Sequence, residues 1–379
     1  MRIIKALKTI NYRLLLAVFT TMLLPTIYQT VRIYFLGDLP SDSGINIASQ
    51  LSWVNLFLQA TIDYVRLETV AALFATLWRF MTLVLVTLRK DAYMYIVLGV
   101  QMVLSILLDA FLVSTLSVSA NIGVNGVAVT NIIVNFIIFV IACFLLKRED
   151  IHLLTRDKWS FAWLKEWFKV GKFSGLESLL RNLVFMVMVV RMINLVSEQG
   201  NYWIANNFIW QWLLLPSLAL ADVVKKEIAE NRENIRNKTF GYLCLTAVFA
   251  VLWLATIPAW KPFLRYVMNV TEYNIVFRIV LIETAFYMTF LFNSCIFDST
   301  FYGLGKTHLM LIQSICIDGI YYGILFILYL TGVFVPSLLG ICLMFGIGMA
   351  LDFIPTMILY IRMLKKENIK IDFKLKENT

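Results

Sequence analysis

Residues 87–96 read TLRKDAYMYI, and residues 303–312 read GLGKTHLMLI. The two stretches match only in part, but each opens a pair of long apolar segments. Each pair ends in a basic stop, LLKRED at 145–150 and MLKKEN at 363–368. The copies lie 216 residues apart. A second pair, IASQLSW at 47–53 and IANNFIW at 204–210, is offset by 157. The offsets differ by 59, so the first half lacks about that many residues relative to the second. Internal repeats in an apolar chain point to a transporter built from two related lobes. The mismatch says that one lobe is short by roughly a helix.

Composition supports the membrane setting. Hydrophobic residues make up 60% of 379 and charged residues 15%, and the mean hydropathy is +0.79. A soluble domain would be closer to one quarter charged. The net charge of +9 sits in short loops between apolar segments, so it reads as a topology signal and not as a nucleic-acid surface. Cys143, Cys244, Cys295, Cys316 and Cys342 lie inside apolar segments with no CxxC pair, and the histidines are His152 and His308. That pattern predicts no metal site, cofactor or disulfide framework. The expected fold class is an all-α polytopic membrane protein with ten to eleven membrane segments. These fall at about 14–36, 45–65, 68–88, 92–114, 122–146, 173–196, 202–223, 239–259, 275–302, 308–331 and 334–361. Three parts follow: a shortened N-lobe (1–150), an interlobe linker (151–172) and a six-helix C-lobe (173–379). Within the linker, SFAWLKEWFKVGK at 160–172 mixes aromatics and lysines and reads as an interfacial helix.

Lysine and arginine set the orientation. The N-terminus, 147–158, 225–238 and the tail from Arg362 are basic and therefore cytoplasmic. The connections 37–44, 115–121 and 197–201 carry no Lys or Arg and are expected outside. Placing Arg89 and Lys90 inside requires one net crossing over 45–88. The repeat asks for the same, since residues 60–79 stand where the second half has 217–295. The stretch 45–88 thus reads as helices two and four fused without helix three, and the polar cluster Asp63, Arg66 and Glu68 marks a break, a re-entrant tip or an interfacial stretch.

Several motifs resemble the multidrug and toxic compound extrusion (MATE) family. Gly123-Val-Asn-Gly126-Val-Ala-Val-Thr opens a helix as the family's sixth does, and Leu108-Asp109 ends the helix before it. Tyr302-Gly303-Leu304-Gly305-Lys306-Thr307 is similar to the Arg-Gly-x-Gly-x-Thr turn after helix ten. Leu215-Pro216 with Ala219 and Ala221 fits helix eight, and Pro25 fits the proline of helix one. The resemblance implies a two-lobe helix bundle around a central cleft. It also implies export of organic cations or other amphipathic compounds, driven by Na⁺ or H⁺. The same superfamily includes flippases for lipid-linked sugars. Two positions depart from the pattern: Arg32 stands where an acid is common in helix one, and Arg181 where a glutamate is common in helix seven.

Charges at membrane depth cost ~2.5–3.5 kcal/mol each on the insertion scale, so each one asks for a partner or a polar cavity. Glu177 and Arg181 are spaced i,i+4 and pair on one face, either as a self-neutralised unit or as a cleft-lining ligand site. Asn206, Asn207, Trp210 and Gln211 present amides and an indole that serve a ligand or glue helices. Asp298 and Asp318 are protonatable candidates or structural hydrogen-bond formers, and Glu283 lies similarly far into its helix. Asp109 and Asp352 read as interfacial, and Arg32 and Arg191 as snorkelling to the outer surface. Arg32 also stays among the binding candidates.

The leading expectation is a secondary active transporter exporting a small amphipathic compound. It is a monomer in the cell membrane (plasma or inner) with both termini cytoplasmic, and its partners are the lipid bilayer and the substrate. Arg32 and Arg181 favour a second reading, a flippase-like carrier of an anionic or lipid-linked substrate. A degenerate, non-transporting membrane protein is the third. No nucleophile–base set, metal spacing or phosphate loop suggests an enzyme.

Overall fold

The computed structural model describes residues 2–39, 48, 59–87, 91–151 and 160–372. Apolar runs in hydrocarbon must satisfy their peptide groups internally, and every described element is accordingly helical. A short N-terminal helix α1 (Arg2–Leu7) is followed by α2 (Tyr12–Gly37), α3 (Gln59–Thr87), α4 (Asp91–Leu112) and α5 (Val124–Arg148). The second half contains α6 (162–195), α7 (Gln199–Leu213), α8 (Leu215–Glu230), α9 (Asn234–Ala255) and α10 (257–267). It closes with α11 (Tyr273–Gly303), α12 (Thr307–Leu330) and α13 (Leu338–Lys366). Seven described helices are long and apolar enough to cross a membrane, or eight if α7 and α8, bent by 55°, form one span. Pro216, in the first turn of α8, stands at that bend.

Two expectations are corrected. Asp63, Arg66 and Glu68 do not mark a break: α3 runs through them without interruption. Asp63 and Arg66 pair at 3.7 Å on the surface, while Glu68 accepts from the Asn131 amide of α5 and the Tyr64 hydroxyl. Charged side chains do not themselves end a helix, and here local pairing accommodates them. The interfacial helix at 160–172 and the span at 173–196 are also one continuous helix, α6. The IASQLSW copy at 47–53, apart from Ala48, and Arg89, Lys90 and His152 lie outside the described residues.

Straight α-helix prevails in the first half. In the second, five π-helical stretches interrupt it: Phe185–Val190, Phe208–Leu213, Phe263–Val267, Asn293–Asp298 and Ile315–Tyr321. Such widened turns concentrate at functional sites. The turn 303–306 has its own logic. A Cβ on Gly303 would lie 2.8 Å from the Lys225 carbonyl oxygen of α8, and Gly305 has a φ of +66°. Glu367 then ties Lys306 to Arg232 across the ends of three helices. Burial, with the Arg232 and Lys366 charges nearby, holds the Lys306 ammonium below its usual range.

α2 joins the two helix groups. On one side Arg32 is buried, and its Nε donates to Asp109 Oδ2 of α4 at 2.8 Å. Arg32 therefore does not snorkel to a surface: its charge and that of Asp109 neutralise each other inside the protein, which is cheaper than leaving either buried alone. On the other side α2 meets the second half through hydrogen bonds described below. Because the pair is sealed, Arg32→Ala leaves Asp109 buried and unpaired. Thermal unfolding of the purified protein should then show a loss of about 3–5 kcal/mol. The double variant Arg32→Met/Asp109→Leu should recover most of it.

Candidate functional site: a cleft between two helix groups and an acidic chamber behind it

A cavity of about 720 Å³ lies between α2 and α4 of the first half and α7 and α8 of the second. Met22, Pro25, Tyr95 and Leu218 give it an apolar wall, and Gln211, Asp222 and Lys226 add polar groups. Much of its lining comes from helix portions that border the basic loops, namely the first half of α2, the start of α4 and Asp222 and Lys226 of α8, while Trp210, Gln211, Leu215 and Leu218 flank the bend between α7 and α8. Beyond it α2 is stitched to the second half. Thr26 Oγ1 donates to the Gln211 carbonyl at 3.2 Å, and Trp212 Nε1 donates to Thr30 Oγ1 at 2.9 Å. At the end of α2, Asn269 Nδ2 donates to the Tyr34 carbonyl at 3.1 Å and to Asp38 Oδ1 at 2.7 Å. Gly37 permits this approach, since a Cβ there would stand 2.3 Å from the Asn269 carbonyl oxygen. The cleft is thus closed at one end by contacts that involve backbone groups.

Behind the cleft lie two smaller cavities within the second half, of about 240 and 130 Å³. Both are lined by Arg181, Trp210, Asp318, Tyr322 and Phe345. The first adds Asn206, and the second adds Asp298 and Asp352. Trp210 lines all three cavities, so its indole is the wall between cleft and chambers. The ring is held by a hydrogen bond from Nε1 to the Tyr287 hydroxyl at 3.0 Å and packs edge-on against Phe290.

Glu177 and Arg181 pair as their spacing predicts, with Nη2–Oε1 at 2.6 Å. The partners differ sharply: the Glu177 side chain is 2% exposed and that of Arg181 is 54%. Arg181 therefore presents charge to the chambers while remaining anchored. Asp298, Asp352 and Asp318 also act on it electrostatically. Asp352 belongs to this group and is not interfacial: its Oδ2 accepts from Asn293 Nδ2 at 2.9 Å and from Gln313 Nε2 at 2.6 Å. Glu177 thus pairs with the guanidinium, while Asp298, Asp318 and Asp352 share the space it lines. Asn207 stays within its own helix, donating to the Trp203 carbonyl at 2.9 Å and accepting from Gln211 Nε2 at 2.7 Å. Arg32 lies apart from all three cavities, against Asp109. Glu283 is also separate: it is fully buried, with the Tyr202 hydroxyl as its polar neighbour. No group of three His, Cys, Asp or Glu side chains among the described residues is placed to hold a metal ion.

Sequence reasoning missed Tyr322, Phe345 and the role of Asp352. Asp352 lies fourteen residues into α13, far from either end, and that depth was the available signal. Nothing in the sequence marked Tyr322 or Phe345 among so many aromatics.

The architecture is similar to solved transporter structures. One is an outward-facing multidrug resistance MATE family transporter of the MOP superfamily, at TM-score 0.58 and 16% identity, over 95% of this chain and 87% of that one. Another is a mutant of the Vibrio cholerae MATE transporter VcmN, at TM-score 0.54 and 16% identity, over 97% and 98%. A third is a MOP superfamily transporter from Pyrococcus furiosus, at TM-score 0.56 and 16% identity, over 95% and 87%. That structure's report infers a different function from the reverse polarity of its binding pocket. No protein-family model matches the chain, and no curated protein matches it by sequence. The fold is the all-α, two-lobe bundle of MATE transporters; at this identity the likeness is one of fold.

The partition at Trp210 is directly testable. In a background without native cysteines, a cysteine replacing Arg181 should react faster with a cleft-entering thiol reagent when Trp210→Ala removes the wall. With Trp210→Phe the slow rate should persist.

Proposed function

We propose that this chain is a secondary active transporter that exports a small amphipathic compound by alternating access. The observation that carries the proposal is the 720 Å³ cleft between the two helix groups, closed at one end by the contacts of Gly37 and Asn269. Sites for small molecules are largely apolar with a few placed polar groups, and the lining fits that description. By the distribution of basic loops the cleft faces the cytoplasm, with both termini on that side and the chain a monomer in the cell membrane. Rocking the helix groups apart at Gly37 would open the opposite side.

The acidic chamber supplies a rationale for coupling. Glu177, Asp298, Asp318 and Asp352 outnumber Arg181, their cationic neighbour in the chamber. A surplus of acids inside a bilayer is stabilised by an added cation or by protons. Na⁺ or H⁺ arriving there would alter the charge beside Trp210, the wall shared with the cleft. A ligand that binds one arrangement of the lobes more tightly shifts the population towards it. Asp298 and Asp318 are the assigned coupling residues, with Glu177 holding Arg181 in place. Trp210 and Gln211 face the substrate in the cleft, and Asn206 lines the chamber behind it.

A second reading is favoured by one observation: the Arg181 side chain is 54% exposed and lines both chambers. That suits a substrate bearing a carboxylate or phosphate, including a lipid-linked one.

Purified protein in liposomes separates the readings. Imposing a pH or Na⁺ gradient should drive uptake of a cationic amphipathic dye into vesicles, and Asp298→Asn or Asp318→Asn should cut the gradient-driven rate. If Arg181→Ala abolishes movement of an anionic amphiphile while the cationic dye is never moved, the second reading holds. Absence of movement with either probe under either gradient would overturn both. Gly37→Val should force the closed end apart, raising reactivity of a cysteine at Thr30 towards a reagent added from the side opposite the basic loops.

A further inference from the structure

Along α6, Leu176, Leu179 and Leu183 are 52%, 61% and 55% exposed. Three- and four-residue spacing puts them on one edge of the helix. The same alternation continued towards the helix start gives Lys172, Lys169 and Lys165, all exposed. A single helical edge therefore changes from leucine to lysine between residues 176 and 172.

Length explains where that change falls. Running from 162 to 195, α6 is about 50 Å long at 1.5 Å per residue. The hydrocarbon core is ~30 Å thick, so several turns lie beyond it. The start of α6 is the exposed part. Trp163, Trp167 and Phe168 are each 58–59% exposed. Packing on α12 begins at Phe173, whose ring meets His308 at 6.2 Å. Tryptophans at this height belong to the aromatic belt of a membrane interface. The acidic residue in 161–172 is Glu166, which bridges Lys169 at 2.8 Å and leaves a net positive stretch.

We propose that Lys165, Lys169 and Lys172 form a headgroup-level site for anionic phospholipid on the lipid-facing edge of α6, with Trp163 and Trp167 set into the interface beside it. The leucine edge above already meets acyl chains, so a lipid lying along it brings its headgroup to the lysines. A zwitterionic lipid satisfies the leucines and the indoles but not three ammonium groups. A negatively charged headgroup satisfies all of them.

The full-length protein in phosphatidylcholine vesicles tests this. A minor fraction of brominated phosphatidylglycerol, or of brominated phosphatidylcholine, is included as quencher. Subtracting the signal of the Trp163→Phe/Trp167→Phe variant isolates the fluorescence of the two tryptophans. At equal mole fraction the anionic quencher should be more effective by about two-fold or more. The preference should vanish in Lys165→Gln/Lys169→Gln/Lys172→Gln and persist when the three are changed to arginine. Equal quenching by the two lipids in the unmodified protein overturns the proposal. Retention of the preference in the glutamine variant, or its loss in the arginine variant, does so as well.

Discussion

A peptide group in hydrocarbon has no water to turn to, and each unsatisfied N–H or C=O costs several kcal/mol. That constraint sets the architecture of this chain before any side chain is considered. It makes every described element a helix. It also lets α3 run through Asp63, Arg66 and Glu68, because stopping the helix would strand backbone groups while local pairing accommodates the side chains. Irregular backbone is tolerated in membranes only where protein or a cavity covers it. The π-helical stretches obey this: four of the five contain a residue lining one of the cavities, among them Phe185, Trp210, Asp298 and Asp318.

Charge is arranged in two ways within this frame. In the first half, Arg32 and Asp109 are both buried and cancel. In the second half, Glu177 is buried and Arg181 is half open, with three further acids around the same space. The first arrangement is closed and structural. The second sets more acidic groups than cations beside a cavity, the kind of site whose occupancy by a cation or proton changes its energy. The two halves differ in electrostatic design.

Much of the helix plan was legible in the sequence because hydrophobic length is a one-dimensional property. Segments such as 92–114, 239–259 and 308–331 land on α4, α9 and α12 within a few residues. The Glu177–Arg181 pair was legible because i,i+4 spacing is local. What was not legible is long-range. Arg32 meets Asp109, 77 positions away, and reading each against its distance from a helix end placed both at the surface. Asp352 failed for the same reason, since Asn293 and Gln313 come from other helices. Trp210 was identified from its polar neighbours, but its position between three cavities depends on the bend after Leu213, which Leu215-Pro216 suggests only as a motif.

The π-helical stretches have a consequence for how the chamber tolerates change in the gene. Each widened turn is in effect one residue inserted into an α-helix. Deleting a single residue from such a stretch removes the widening and leaves the helix on either side in nearly its original phase. Asp298 and Asp318 lie inside two of these stretches, so which residue is lost decides which side chain stays at the chamber wall. In regular helix the same deletion turns everything beyond it by about 100°. The described helices of the first half have no widened turn to absorb such a change.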